Sequence, residues 1–98
     1  MDRISAIAAL RSREQALKNL GVRSLYLFGS TLRNEANSKS DLDLFIDHDE
    51  GGDFSLFDLL EIKYFLEDGI HVPVDIMTRR SLHPVLKDEI IAEAERVF

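Results

Sequence analysis

The chain has no cysteine. That excludes a disulfide framework and any metal site built on thiolates, and leaves nothing that marks secretion. Long apolar runs are also missing. No stretch approaches the roughly 18 residues a membrane span needs, and the start, MDRISAIAALRSREQ, lacks the continuous apolar core of a signal peptide. A cytoplasmic location is therefore expected. No internal repeat, low-complexity segment or inter-domain linker is visible. Proline occurs twice, at Pro73 and Pro84, and both positions suit the edges of elements.

What is present fits one globular domain spanning residues 1–98. Apolar residues make up 45% and charged residues 31%, ordinary for a folded chain. A chain this short builds one modest core. The net charge is −6, unevenly spread. Residues 1–33 hold six basic and two acidic residues, whereas 34–98 hold six basic and sixteen acidic. This balance argues against unaided nucleic-acid binding and permits binding of cations or of a basic partner.

Patterning predicts the order α-β-β-α-β-α, an α+β layered fold with a small mixed sheet against helices. A helix is expected over 3–20, capped by Asp2 and stopped by Gly21, with Ile4, Ile7, Ala8, Leu17 and Leu20 inward. Ser24–Phe28 reads as a buried strand halted by Gly29, with room for a helical turn after Ser30. Asp41–Asp47 alternates. Leu42, Leu44 and Ile46 face one way, and Asp41, Asp43, Phe45 and Asp47 the other. Ser55 opens a second helix with Asp58 as its capping-box partner, Leu59, Ile62 and Leu66 inward, and Gly69 at its close. Val72–Met77 is a third strand. A last helix starts at Pro84 and runs to about Val97, with Leu86, Ile90, Ala94 and Val97 inward.

The informative residues are Gly29-Ser30-Thr31-Leu32-Arg33 and Ser40-Asp41-Leu42-Asp43. Carboxylates two residues apart on a strand share a face about 7 Å apart. They form half a site for one or two Mg²⁺ ions, which favour oxygen ligands and keep waters and substrate phosphates in their shell. Asp75, an acid between Val74 and Ile76, is the candidate third ligand, since a carboxylate in an apolar strand is costly unless paired or metal-bound. Gly29 lets the backbone turn close to a ligand, Ser30 adds a donor for phosphate oxygens, and Arg33 can reach the same anion or form a surface ion pair.

This combination resembles the nucleotidyltransferase superfamily that includes DNA polymerase beta, and most closely its small prokaryotic branch, the minimal nucleotidyltransferases. The family pattern is Gly-Ser, a following Arg, then Asp-x-Asp. Asn34 departs from it, standing where the family usually has glycine. The resemblance implies transfer of a nucleoside monophosphate, AMP from ATP, to a hydroxyl. Asp41 and Asp43 would bind two Mg²⁺ ions. Asp75 would hold the ion beside the attacking hydroxyl and accept its proton. Gly29, Ser30 and Arg33 would bind the nucleotide phosphates. Small chains of this branch are often paired with a HEPN-domain toxin, so the resemblance also implies an antitoxin that adenylylates a tyrosine of that toxin within a hetero-oligomer. A non-catalytic docking antitoxin, or a transferase acting on tRNA or a small molecule, are the alternatives.

Other residues carry weaker signals. Asp47 to Asp58 partly matches a calcium loop with glycine at its sixth position. It has Gly51 at position five, Asp58 instead of glutamate at twelve, and a strand before it. His48, His71 and His83 lack ligand spacing. Tyr64 and Phe65 read as core or interface, and Arg79-Arg80 as a solvated pair.

Overall fold

The computed structural model describes residues 1–37 and 40–98. The stretch expected to be one helix is two, α1 (Arg3–Arg11) and α2 (Glu14–Asn19). Asp2 caps α1, accepting from the Ser5 amide at 2.7 Å. The break has a local and a distant cause. The Ser12 hydroxyl donates back to the Ala9 carbonyl at 2.7 Å, a bond that competes with helix propagation. The Arg13 guanidinium donates to the same carbonyl and, across the fold, to that of Gly69 at 2.9 Å. The break turns the inward stripe. Ala6, Leu10 and Leu17 are buried, whereas Ile4 is 76% exposed and Ala8 faces solvent.

Gly21, at φ 102°, turns the chain into β1 (Val22–Phe28). A one-turn helix, α3 (Gly29–Leu32), follows it directly, as expected. The second strand, β2 (Leu42–His48), lies antiparallel to β1. Then α4 (Leu56–Ile70) carries the chain over to β3 (Val74–Thr78), which pairs with β2 in parallel. The Ser55–Asp58 capping box is formed at the start of α4. Its end comes one residue later than expected, at Ile70, with His71 in the left-handed region at φ 63°. Gly69 is inside the helix for another reason. A Cβ there would lie 2.7 Å from Nε of Arg13, so its lack of side chain makes room for the Arg13 hydrogen bond.

The end of the chain departs most from expectation. After a 3₁₀ turn (Arg79–Ser81), α5 covers only Lys87–Glu93, Pro84 lies before it, and Leu86 is 46% exposed. Ala94 leaves helical geometry, and Glu95–Arg96 forms a short strand, β4, against β1. Val97 is buried because its amide donates to Leu25 O at 2.8 Å, not through a helical stripe. The free edge of β1 offers a row of backbone partners, and the chain end takes them. The sheet order is β3-β2-β1-β4. Pro73 stands just before the edge strand β3, where a missing N–H costs nothing, and its carbonyl accepts from Leu42.

One face of this sheet carries the core. Leu42, Leu44 and Ile46 of β2, Leu25 and Leu27 of β1 and Val74 and Ile76 of β3 are buried with Ile62, Leu66 and Ile70 of α4. Among the described residues, no helix is long and apolar enough to cross a membrane.

The opposite face was expected to be outward, yet Phe45 on it is fully buried. Tyr26 stacks on Phe45 with ring centroids 4.6 Å apart, and Phe28 tilts against it at 5.9 Å. The Arg79 guanidinium lies 5.0 and 5.1 Å from the Tyr26 and Phe45 ring centres. Asp47 fixes it there through two hydrogen bonds of 2.8 and 2.9 Å. Arg79 is thus a structural residue, not half of a solvated pair. The bond from Arg79 holds the Asp47 carboxyl below the usual carboxylate range. Replacing Arg79 with alanine is expected to cost about 1–2 kcal/mol, from a lost two-pronged ion pair and two cation–ring contacts. Urea unfolding would measure it. Arg79→Lys should recover less than half, because an ammonium has no fork to match the carboxylate.

Candidate active site

The site is built where β1 ends and β2 begins. Phe28 is extended, and Gly29 then takes φ 77°, which a side chain rarely adopts. The turn brings the Gly29 backbone against the Asp43 side chain. A Cβ at residue 29 would sit 3.0 Å from Asp43 Cγ and would overlap its Oδ2. Glycine is therefore required twice here, for its dihedral and for its lack of bulk. The result is a tight junction between the turn that opens α3 and the first strand acid. Backbone N–H groups in the first turn of a helix have no intrahelical acceptor, so such a turn is suited to anions.

Asn34, the departure from the family pattern, is at φ 57°. Asparagine tolerates the left-handed region better than most residues, which accounts for its standing in a glycine's place. Its side chain also accepts from the Arg3 amide at 2.9 Å, tying α1 to this loop.

Of the three acids, Asp43 is half-buried, while Asp41 and Asp75 are exposed. The parallel register pairs Asp43 with Asp75 on the neighbouring strand, and paired residues of adjacent strands project from the same face. Asp41 lies two residues before Asp43. The effect on Asp43 is large. Burial first, then the charge of Asp75 and that of Asp41, push its carboxyl up to about 6, against an opposing pull from Arg33. A carboxylate crowded this way has much to gain from a cation. Among the described residues, no three acidic or imidazole side chains are gathered closely enough to hold a metal ion, so Asp41, Asp43 and Asp75 do not converge as one three-carboxylate cradle. The paired carboxylates of Asp43 and Asp75 on one sheet face still suit Mg²⁺, which is commonly held by one or two carboxylates and completed by waters and substrate phosphates.

Arg33 is found in the surface ion pair. Its Nε donates to Glu35 at 3.1 Å and one terminal nitrogen to Glu93 of α5 at 2.8 Å. Ser30 is half-buried in α3, and its carbonyl accepts from Glu35. The stretch leading to Asp41 includes Ser38 and Lys39, which lie outside the described residues.

The calcium-loop match dissolves into other duties. Asp47 holds Arg79, Asp58 caps α4, and His48 stacks on Phe54 at 4.4 Å. His83 Nδ1 accepts from the Val85 amide, and His71 ends α4. Tyr64 is 57% exposed on α4, while Phe65 packs against the core. The open-face pairing of Tyr26, Phe45 and Arg79 was missed by sequence reasoning. An aromatic at an acid-bearing strand position was its one available signal.

Known proteins are similar to this chain in sequence and fold. A Methanocaldococcus jannaschii protein, named as a candidate protein adenylyltransferase, is 45% identical over 78 residues, spanning 80% of this chain and 82% of its own. A solved structure described as a candidate minimal nucleotidyltransferase superposes with a TM-score of 0.79 at 35% identity, over 97% of this chain and 95% of that one. A more distant neighbour, 18% identical with a TM-score of 0.60, covers 90% of this chain and 71% of its own. It comes from a complex of an MNT antitoxin with a tri-AMPylated Shewanella oneidensis HEPN toxin, and at that distance the likeness is one of fold. The family model for the nucleotidyltransferase domain matches residues 10–97. The chain belongs to the nucleotidyltransferase domain family.

Proposed function

We propose that this chain is a Mg²⁺-dependent protein adenylyltransferase that moves AMP from ATP to a tyrosine hydroxyl of a HEPN-domain toxin, and that it serves as the toxin's antitoxin. The observation that carries the reading is the register of Asp43 with Asp75, with Gly29 pressed against Asp43. That juxtaposition sets a carboxylate group beside a backbone turn suited to phosphates, which is what phosphoryl-group transfer requires. The names of the curated relatives and the AMPylated toxin bound by the solved neighbour support the choice of acceptor.

In the proposed reaction the acceptor oxygen bonds to the α-phosphorus of ATP, the bond from that phosphorus to the α–β bridging oxygen breaks, and pyrophosphate leaves. Asp41, Asp43 and Asp75 would hold Mg²⁺. When bound, it neutralises the charge developing on the attacking and leaving oxygens. Asp75, exposed on the edge strand β3, would take the hydroxyl proton. Gly29 and Ser30 would face the departing phosphates. Arg33 would exchange Glu93 for a phosphate oxygen when nucleotide arrives.

The test is to incubate the chain with Mg²⁺, α-labelled ATP and a HEPN-domain toxin. Label on a toxin tyrosine, with loss of toxin ribonuclease activity and complete suppression by EDTA, is the expected result. Label on tRNA and not on protein would overturn the choice of acceptor. Toxin neutralised equally well by the Asp41→Ala/Asp43→Ala variant would show that docking alone suffices.

A further inference from the structure

At the far end of β2 from the acids, the sheet carries a second charged site of opposite sign. Arg23, Arg79, Arg80, His48, Thr78 and Asp47 border an open cleft of about 420 Å³, with Glu50 and Ile46 also on its wall. Arg96 stands near, close enough to lower the Asp47 carboxyl together with Arg79 and Arg23. Asp47 is already committed to Arg79. Among the described residues, the Arg23 and Arg80 guanidiniums form no side-chain hydrogen bond or salt bridge, and both residues are exposed. In a chain of net charge −6, a cleft whose walls carry two uncommitted guanidiniums is a local reversal of sign. Arg23 acts on Asp47 only through its charge, and Asp47 is already held by Arg79.

Location gives the cleft its meaning. Asp43, Phe45 and Asp47 follow one another on one face of β2, so the Asp47–Arg79 pair at the rim lies about 13 Å along the strand from Asp43. The aromatic platform of Tyr26 and Phe45, roofed by Arg79, fills the distance between. An ordinary protein interface covers about 800 Å² on each partner, enough to span both ends. A protein whose hydroxyl reaches Asp43 and Asp75 can therefore extend over this platform to the cleft.

We infer that the Arg23–Arg80 cleft is a docking site for an acidic segment of the acceptor protein, which seats that protein on the sheet while its hydroxyl enters the carboxylate site. The inference rests on the proposed transfer to a protein. Carboxylates of the segment pair with Arg23 and Arg80, and the fork of each guanidinium suits a carboxylate. Charge attraction of this kind speeds encounter and is screened by salt. The nucleotide takes no part in the contact.

The test separates docking from chemistry. Arg23→Glu/Arg80→Glu, with its fold checked by circular dichroism, is compared with the wild-type chain in labelling of the HEPN-domain toxin. The expected result is a KM for toxin raised about tenfold or more in low salt. The kcat and the affinity for an ATP analogue stay within twofold, and the difference shrinks at high salt. Arg23→Lys/Arg80→Lys should keep KM within about threefold of wild type. In parallel, a fluorescein-labelled peptide of ten glutamates is titrated into the chain alone. Anisotropy should rise with the wild-type protein and not with the reversed variant.

An unchanged KM for toxin in the reversed variant would overturn the inference and leave the transfer reading standing. If wild-type protein labels no toxin, the transfer reading fails and the peptide titration decides the cleft. Binding that depends on both arginines supports an acidic-segment site, and no binding refutes it. A ten-nucleotide RNA that binds the cleft in preference to the peptide would also refute it.

Discussion

Asp43→Asn is expected to abolish transfer, with a loss on the order of 10³-fold, and at the same time to make the ligand-free protein more stable. The loss follows from the proposed role of Asp43 in holding Mg²⁺, since an amide replaces the carboxylate in the position against the Gly29 turn. The gain follows from the pressure on the native carboxyl, which burial, Asp75 and Asp41 together push up to about 6. The folded chain holds that proton more tightly than the unfolded chain does, so ionising Asp43 works against folding. Below about pH 4 the group is protonated in both states and the penalty is absent. It grows as pH rises from the ordinary value of 3.8 to about 6 and is complete above that. A shift of two units corresponds to about 3 kcal/mol. With Asp43 half-open to water, screening reduces the expected gain to about 1 kcal/mol, or roughly 4–8 °C in Tm for a domain this size. Thermal melts of both proteins should therefore diverge at pH 7.5 and converge near pH 3.5. Added Mg²⁺ with an ATP analogue should raise Tm of the wild type and not of the variant. Equal melting at pH 7.5 would remove the electrostatic account, and retained transfer would remove Asp43 from the site.

Gly29→Ala carries the second large effect, in the opposite direction for stability. The backbone at φ 77° penalises any Cβ by about 1–2 kcal/mol. The added carbon also displaces the Asp43 carboxylate, which it would overlap. A loss of about 2 kcal/mol in urea unfolding is expected, together with a fall in kcat on the order of 10²-fold, since a displacement of about 1 Å is enough to spoil a reacting geometry. Gly51→Ala and Gly52→Ala are the controls, because a Cβ at either position meets nothing within 4 Å. Those two variants should fold and label as the wild type does. Unimpaired labelling by Gly29→Ala would mean that the turn does not position Asp43 for the reaction.

The placement of Asp43 away from the core and beside Asp75 was legible because its signal is local. Strand alternation alone assigns Asp41 and Asp43 to the face opposite Leu42 and Leu44, and an acid among Val74 and Ile76 stands out in a five-residue window. The turn at Gly29 was legible for the same reason, since a glycine ends an apolar run. What could not be read depends on partners far along the chain. Arg33 meets Glu93 sixty residues later. Arg13 reaches Gly69 and helps divide the first helix. Phe45 reads as outward from its strand position, and only Tyr26, Phe28 and Arg79 together explain its burial. The last segment, Lys87-Asp88-Glu89-Ile90-Ile91-Ala92-Glu93-Ala94, has strong helical preference, and nothing in it foretells the strand that follows. That preference is met over Lys87–Glu93, and the free side of β1 then takes Glu95 and Arg96 into the sheet, as tertiary context often decides where a helix stops.

The return of the chain to β1 also governs where the molecule can be cut. Every residue of the proposed carboxylate site precedes Ser81, so a version shortened after Glu93 keeps all of those residues on paper. It would nevertheless strip Tyr26 and Leu27 of the neighbours that Glu95 and Arg96 provide, and would free Leu25 from its bonds to Val97 and Phe98. Neighbouring copies could then join through the uncovered backbone and precipitate together, so the last few residues act as a solubility seal as well as a tail.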